Sequence, residues 1–155
     1  MIQLEKNPNP TKDQHFMVDE LMLERIYQKA NIKEGETIVE VGGGAGALTK
    51  YLASEKNHVT VIEKDPYYAK LLREKFSKNS NVEVVEGDAL QFDFYSFDRI
   101  VANLPYTITE PFLINLARTG TLGHMTKDPK SSNVKSITLV LSQNSVRKMV
   151  APIQI

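Results

Sequence analysis

The 155-residue chain has no cysteine. That excludes a disulfide framework and a cysteine-ligated zinc site, and nothing points to an oxidising compartment, so the cytoplasm is the expected location. Long apolar runs are also missing. The opening MIQLEKNPNPTKDQ is polar and proline-bearing, unlike the core of a signal peptide, and no later segment reaches the length of a membrane span. A soluble protein without a membrane partner is expected. A surplus of either charge is absent too: 19 Lys/Arg balance 19 Asp/Glu. A chain that holds a polyanion by its field needs a basic excess, so charge alone marks no nucleic-acid face. Lys70, Arg73, Lys75 and Lys78, interleaved with Glu74, read as the solvated side of one helix. His58 and His124 lack spaced ligand partners, so no metal site is expected.

What remains is ordinary globular composition, 41% hydrophobic and 25% charged, enough for one domain over residues 1–155 with one sizeable core. Apolar spacing predicts an opening helix over Leu21 to Ala30, capped by Asp19. Strand-rich runs follow at Thr37 to Val41, His58 to Ile62, Val82 to Val85, Phe97 to Ala102 and Lys135 to Leu141. Helical patterns lie between them at Ala47 to Ser54, Tyr67 to Phe76 after Asp65-Pro66, and Thr109 to Arg118, with a last one at Gln143 to Val150. Thr119 to Asn133 has no periodicity and reads as a mobile surface loop. Alternating strands and helices with near-continuous apolar strands predict an α/β fold, a doubly wound, Rossmann-like parallel sheet covered on both faces.

The chemistry is concentrated at strand ends. Glu40-Val41-Gly42-Gly43-Gly44-Ala45-Gly46 leaves a strand and opens a helix, so its backbone can approach a ligand where a Cβ would obstruct it. A tight turn without a ligand has the same glycines, and Gly42, Gly44 and Ala47 also satisfy the dinucleotide fingerprint. Glu63, roughly twenty residues past the first glycine, is placed to accept from both ribose hydroxyls, a feature that NAD and S-adenosylmethionine sites share. Asp88 after the third strand is placed to accept from a cofactor adenine amine.

Asn103-Leu104-Pro105-Tyr106 after the fourth strand separates these readings. A nucleobase amine is a poor nucleophile because its lone pair is delocalised into the ring, so methylating it needs acceptors that hold the amine. Asn103 Oδ1 and the Leu104 carbonyl supply two, Pro105 fixes the local backbone, and Tyr106 offers a face on which an extruded base can stack. A sulfonium methyl donor is already activated, so no metal or protein nucleophile is needed.

With four motifs in order, Gln14-His15-Phe16-Met17, the Glu40-to-Gly46 loop, Glu63 with Asp88, and Asn103 to Tyr106, the chain resembles the ribosomal RNA adenine N6-dimethyltransferases, which include the erythromycin-resistance methylases and relatives of mitochondrial transcription factor B. The resemblance implies a class I methyltransferase using S-adenosylmethionine to methylate adenine N6 in ribosomal RNA, as far as dimethyladenosine, with ribosomal RNA or a ribosomal subunit as partner. It also implies that Gln14, His15 and Met17, with Glu40, Gly42, Gly44 and Gly46, line the cofactor site. Glu63 would hold the ribose, Asp88 and Asn103 would complete the pocket, and Asn103, Leu104 and Tyr106 would hold the target adenine. The chain departs from the family in Asp13 where Gly is usual and Met17 where Leu is usual. Family members also continue into two further strands and a small helical domain that helps engage RNA, so a C-terminally incomplete sheet with an uncovered edge is expected.

Two rival readings stand beside this one: a non-catalytic cofactor- or RNA-binding module in ribosome assembly or transcription, and an NAD-dependent oxidoreductase sharing the glycine loop. Asp93, Asp98 and Glu110 fall near the expected active face but read as solvated or capping carboxylates, and Tyr67 and Tyr68 read as helix packing.

Overall fold

The computed structural model describes residues 19–53, 56–119, 121 and 134–140. The motif Gln14 to Met17, the helix expected over Gln143 to Val150, and His124 lie outside the described residues. Five strands form one parallel sheet: β1 (Thr37–Val41), β2 (His58–Glu63), β3 (Val82–Glu86), β4 (Arg99–Ala102) and β5 (Ser136–Leu139), in the order β3-β2-β1-β4-β5. That is the Rossmann-type doubly wound order, with β1 central and the order reversing between β1 and β4. The expected α/β class is what the chain adopts. Among the described residues β5 is a sheet edge, half-buried along its whole length.

Alternation along the strands builds two apolar layers. Ile38, Val59, Val61 and Val101 meet Leu23, Ile26 and Ala30 of α1 (Glu20–Ala30), Leu52 of the short α2 (Thr49–Leu52) and Leu72 of α3 (Pro66–Lys75). On the other face Val39, Val41, Ile62, Ile100 and Ala102 meet Phe94 and, from α4 (Tyr106–Arg118), Phe112 and Leu116. Phe94 and Phe112 pack edge to face with ring centroids 5.6 Å apart, the geometry that aromatic quadrupoles favour.

Local chemistry sets the element ends. Asp19 Oδ1 accepts from the amides of Leu21 and Met22 at 3.0 and 3.4 Å, and Asp65 Oδ1 from Tyr67 at 3.0 Å with Pro66 at the first helical position. Four expectations shift. The helix expected from Ala47 is only Thr49–Leu52 in the described residues, because Gly46 at φ +77° is still turning the chain. The strand expected from Phe97 starts at Arg99, since Phe97 closes a turn on the Phe94 carbonyl. The helix expected from Thr109 starts at Tyr106, because the Pro105 carbonyl already accepts from the amides of Ile108 and Thr109. The loop expected from Thr119 begins ordered: Thr121 is buried, its amide donating to Leu116 O at 3.0 Å.

A buried ion cluster ties the strands together at the end away from the glycine loop. Arg99 grips Glu36 through two bonds of 2.7 and 2.8 Å and donates to Ser136 Oγ, while Lys135 bridges Glu36 and Asp98. Asp98 in turn accepts from the amide and hydroxyl of Thr37, so it belongs to this cluster and not to the glycine-loop end where it was expected. The Arg99 guanidinium holds the Glu36 carboxyl down to about 2. We expect Arg99→Met to lower stability by up to about 3–5 kcal/mol, since it leaves the buried Glu36 carboxylate with the half-exposed Lys135 in place of a guanidinium fork. A depressed carboxyl stabilises the fold fully above its unfolded value and loses that contribution as pH falls through the folded one. Glu36→Gln should therefore cost most at neutral pH and little near pH 2, checked by urea unfolding across that range.

Candidate functional site

The candidate site lies over the carboxyl ends of β1 and β4, the switch point of the sheet. Val41 pairs level with Ala102, so the next residue of each strand, Gly42 and Asn103, leaves the sheet beside the other. A Cβ added to Gly42 would stand 3.5 Å from the Asn103 carbonyl oxygen and 3.6 Å from Leu104 Cδ2, filling the crevice between the two motifs. Gly42, Gly44 and Gly46 have φ of +81°, +51° and +77°, where side-chain-bearing residues are strained. Gly43 is required for a different reason: its Cβ would fall 2.4 Å from Val61 Cγ1, so the loop rests directly on the core.

Glu63 ends β2 with its carboxylate already oriented. One oxygen accepts from the Gly44 amide and the other from the Asp65 amide, both at 2.8 Å. Each carboxylate oxygen has a further lone pair, so two hydroxyls can still be accepted. Asp88 follows β3, with one oxygen capping the Leu90 amide at 3.0 Å and the other on Lys64 Nζ at 2.7 Å. The Lys64 bond, reinforced by the cap, holds Asp88 below the usual carboxylate range and keeps it an acceptor.

Glu40 belongs to the floor. It is 1% exposed, beneath the loop, and accepts from Thr49 Oγ1 at 2.6 Å. Burial, reinforced by the Glu63 charge, pushes its carboxyl up to about 8 against the opposing Thr49 bond. It therefore braces the loop against α2. Asn103, Leu104 and Pro105 are half-buried at the crevice. The Pro105 carbonyl takes the first helical donors, including Thr109 Oγ1 at 3.1 Å, which leaves the Leu104 carbonyl one residue outside the ladder of α4. Tyr106 is the first residue of α4, and its side chain lies outside the described residues.

Three contributors to this site are not singled out by the sequence reading. Thr49 and Lys64 have ordinary local signals; a lone acid within the apolar TIVEV strand is the hint that Glu40 needs a donor such as Thr49. Lys75, expected on a solvated helix face, instead donates to the Ala45 carbonyl of the loop at 2.8 Å. Lys70 and Glu74 are exposed, as expected. Asp93 caps the Tyr95 amide at 2.9 Å. Tyr68 is buried against the helix packing, but Tyr67 is 45% exposed. No group of three or more potential metal ligands occurs, and no helix is long and apolar enough to cross a membrane, among the described residues.

The loop thus forms a cradle of glycines at positive φ, with an oriented acid beside it and the Asn103-Leu104-Pro105 turn across the crevice, which fits a nucleoside-bearing cofactor. A family model described as ribosomal RNA adenine dimethylase matches residues 5–154. The chain is 41% identical over 104 residues to the "probable ribosomal RNA small subunit methyltransferase A" of Methanococcoides burtonii, covering 67% of this chain and 38% of that protein. It spans about two fifths of the length of such curated relatives. A solved dimethyladenosine transferase from Plasmodium falciparum superposes with a TM-score of 0.72 at 27% identity, over 90% of this chain and 47% of that one. The 23S rRNA methyltransferase ErmE gives 0.60 at 36% identity, over 64% and 41%. With its Rossmann-type sheet and its motifs in family order, the chain belongs to the ribosomal RNA adenine dimethylase family.

Proposed function

We propose that residues 1–155 form the S-adenosylmethionine-binding domain of a cytoplasmic enzyme that methylates the N6 amine of adenine in ribosomal RNA, through to dimethyladenosine. The observation that supports this reading most is the approach of Gly42 to the Asn103 carbonyl and the Leu104 side chain across the switch point, where the proposed cofactor cradle and the proposed amine clamp adjoin. The cofactor brings a methyl group activated by its sulfonium charge. Glu63 receives the ribose hydroxyls, the glycine loop lies along the methionine part with Glu40 bracing it, and Asp88 receives the cofactor's adenine amine. Gln14, His15 and Met17 contribute cofactor contacts from the N-terminal segment. Asn103 Oδ1 and the Leu104 carbonyl accept from the target N6 amine and turn its lone pair away from ring conjugation towards the methyl; as the N–C bond forms the C–S bond breaks, S-adenosylhomocysteine leaves, and one N6 proton is lost to solvent. Pro105 fixes their direction, and Tyr106 stacks on the base. With the donor already activated, the protein's contribution is chiefly alignment.

Calorimetric titration with S-adenosylhomocysteine tests the cradle. We expect saturable binding that Glu63→Ala weakens about ten- to a hundredfold, the loss of hydrogen bonds to a charged acceptor worth about 1.5–3 kcal/mol. Binding of NAD that excludes S-adenosylhomocysteine would instead establish a dinucleotide enzyme. Asn103→Ala tests the clamp: methyl incorporation into unmodified ribosomal RNA should fall about a hundred- to a thousandfold, the scale seen when one transition-state hydrogen bond is removed. Cofactor affinity, to which Asn103 adds one contact among several, should fall by no more than about tenfold, the loss of one hydrogen bond worth about 0.5–1.5 kcal/mol. Undiminished methylation by that variant would remove Asn103 from the chemistry.

A further inference from the structure

We propose that Lys75 is a positioning residue of the cofactor cradle, its ammonium on α3 tying down the carbonyls of the glycine loop so that the loop is preformed before the cofactor arrives. This rests on the proposed function and assigns it a residue outside the loop. Lys75 Nζ lies 2.8 Å from the Ala45 carbonyl oxygen and 3.5 Å from that of Gly46. Its charge also sits 5.7 Å from the centroid of the Phe76 ring, which packs in the core layer beneath the loop.

The loop needs such a tie. Three of its residues are glycines at positive φ, which lose the most conformational freedom on ordering. The helix that follows is four residues long and adds one ladder bond to the loop, from the Lys50 amide to the Gly46 carbonyl at 3.3 Å. Among the loop's other restraints are the Gly42 amide on the Ile62 carbonyl at 2.9 Å, the Gly46 amide on the Gly43 carbonyl at 2.8 Å and the Gly44 amide on Glu63, and none of these holds the Ala45 carbonyl. Because a peptide group is planar, fixing the Ala45 and Gly46 carbonyls also fixes the opposite-facing amides of Gly46 and Ala47. Gly46 itself is pressed against this support: a Cβ there would come within 2.8 Å of Phe76 Cε2 and 3.4 Å of Lys75 Nζ. Partial burial, with the Lys50 charge, lowers the Lys75 pKa while the Glu40 charge opposes this, so the ammonium gives up some hydration to hold the loop.

The test compares the chain with its Lys75→Met, Lys75→Gln and Lys75→Arg variants by amide hydrogen exchange without cofactor and by S-adenosylhomocysteine titration. Loss of the donor in the Met variant, and of the charge and one atom of reach in the Gln variant, should speed exchange at Gly44 and Gly46 about tenfold or more, leave β1 and β4 amides unchanged, and weaken binding about tenfold. In turnover, KM for the cofactor should rise with kcat unchanged, and Arg should restore most of both effects. Met and Gln variants with wild-type loop exchange and affinity would overturn the proposal, as would uniform acceleration across β1 and β4, which marks a merely structural role. Failure of the wild-type chain to bind S-adenosylhomocysteine would count against the functional reading, while the exchange comparison would still decide whether Lys75 orders the loop.

Discussion

The crevice at the candidate site exists because β1 and β4 are hydrogen-bonded neighbours with Val41 level with Ala102. In a parallel sheet the register of two adjacent strands decides how far apart their following loops emerge. A slip of one residue would also move every side chain of the strand from one apolar layer to the other, so the register is locked by the same layers that give stability. Val39 and Val41 share one layer with Ile100 and Ala102, while Ile38 shares the other with Val101. Packing on both faces thus fixes a distance at the top of the sheet, and that distance brings a glycine turn against an Asn-Leu-Pro turn. The glycines then allow the approach that the register has arranged.

The two ends of β1 use buried acid in opposite ways. Glu36, just before the strand, is held ionised by a guanidinium fork and a lysine. Glu40, within it, faces a hydroxyl and a neighbouring carboxylate, and burial raises its pKa instead. Full compensation at the first end yields a rigid clamp across β1, β4 and β5. Partial compensation at the second leaves polar groups beneath the loop whose balance depends on Glu63 and Lys75.

Much of this is legible in the sequence, for physical reasons. The strands show because a sheet buried on both faces demands unbroken β-branched runs such as HVTVI. Asp19 and Asp65-Pro66 show because helix starts leave amides unsatisfied, and few residue types satisfy them. Gly42 and Gly44 show because positive φ excludes most alternatives. The start of α4 is not legible, since Pro105 reads as a break although its carbonyl begins the ladder, and Pro111 lies within the helix. Asp98 and Lys75 are misplaced for a shared reason: a charged side chain on a helix or strand end looks alike whether it meets solvent or reaches across to a segment far away in sequence. Asp98 finds Thr37 and Lys75 finds Ala45, contacts that only the folded chain creates.

The charge balance bears on how discrimination would work under the proposed reading. Lys56, Lys64, Lys70 and Arg73 form ion pairs with Glu34, Asp88, Glu74 and Glu86 on or near the surface. Pairs exposed in this way contribute about 0–1 kcal/mol each, so they yield readily to a phosphate but add little attraction of their own. A neutral domain therefore has weak long-range pull on a polyanion, and its selectivity must come from short-range contacts. Under that reading Asn103 Oδ1 and the Leu104 carbonyl would provide such contacts, since an amine, even once methylated, brings an N–H donor to them, while a keto base brings a lone pair that acceptors repel. Sites built to hydrogen-bond a donor reject analogues lacking it by about 10⁴–10⁵, far more than a surface field could achieve. Recognition of the base would then be set by the β1–β4 register, through the spacing it imposes on Asn103 and Leu104.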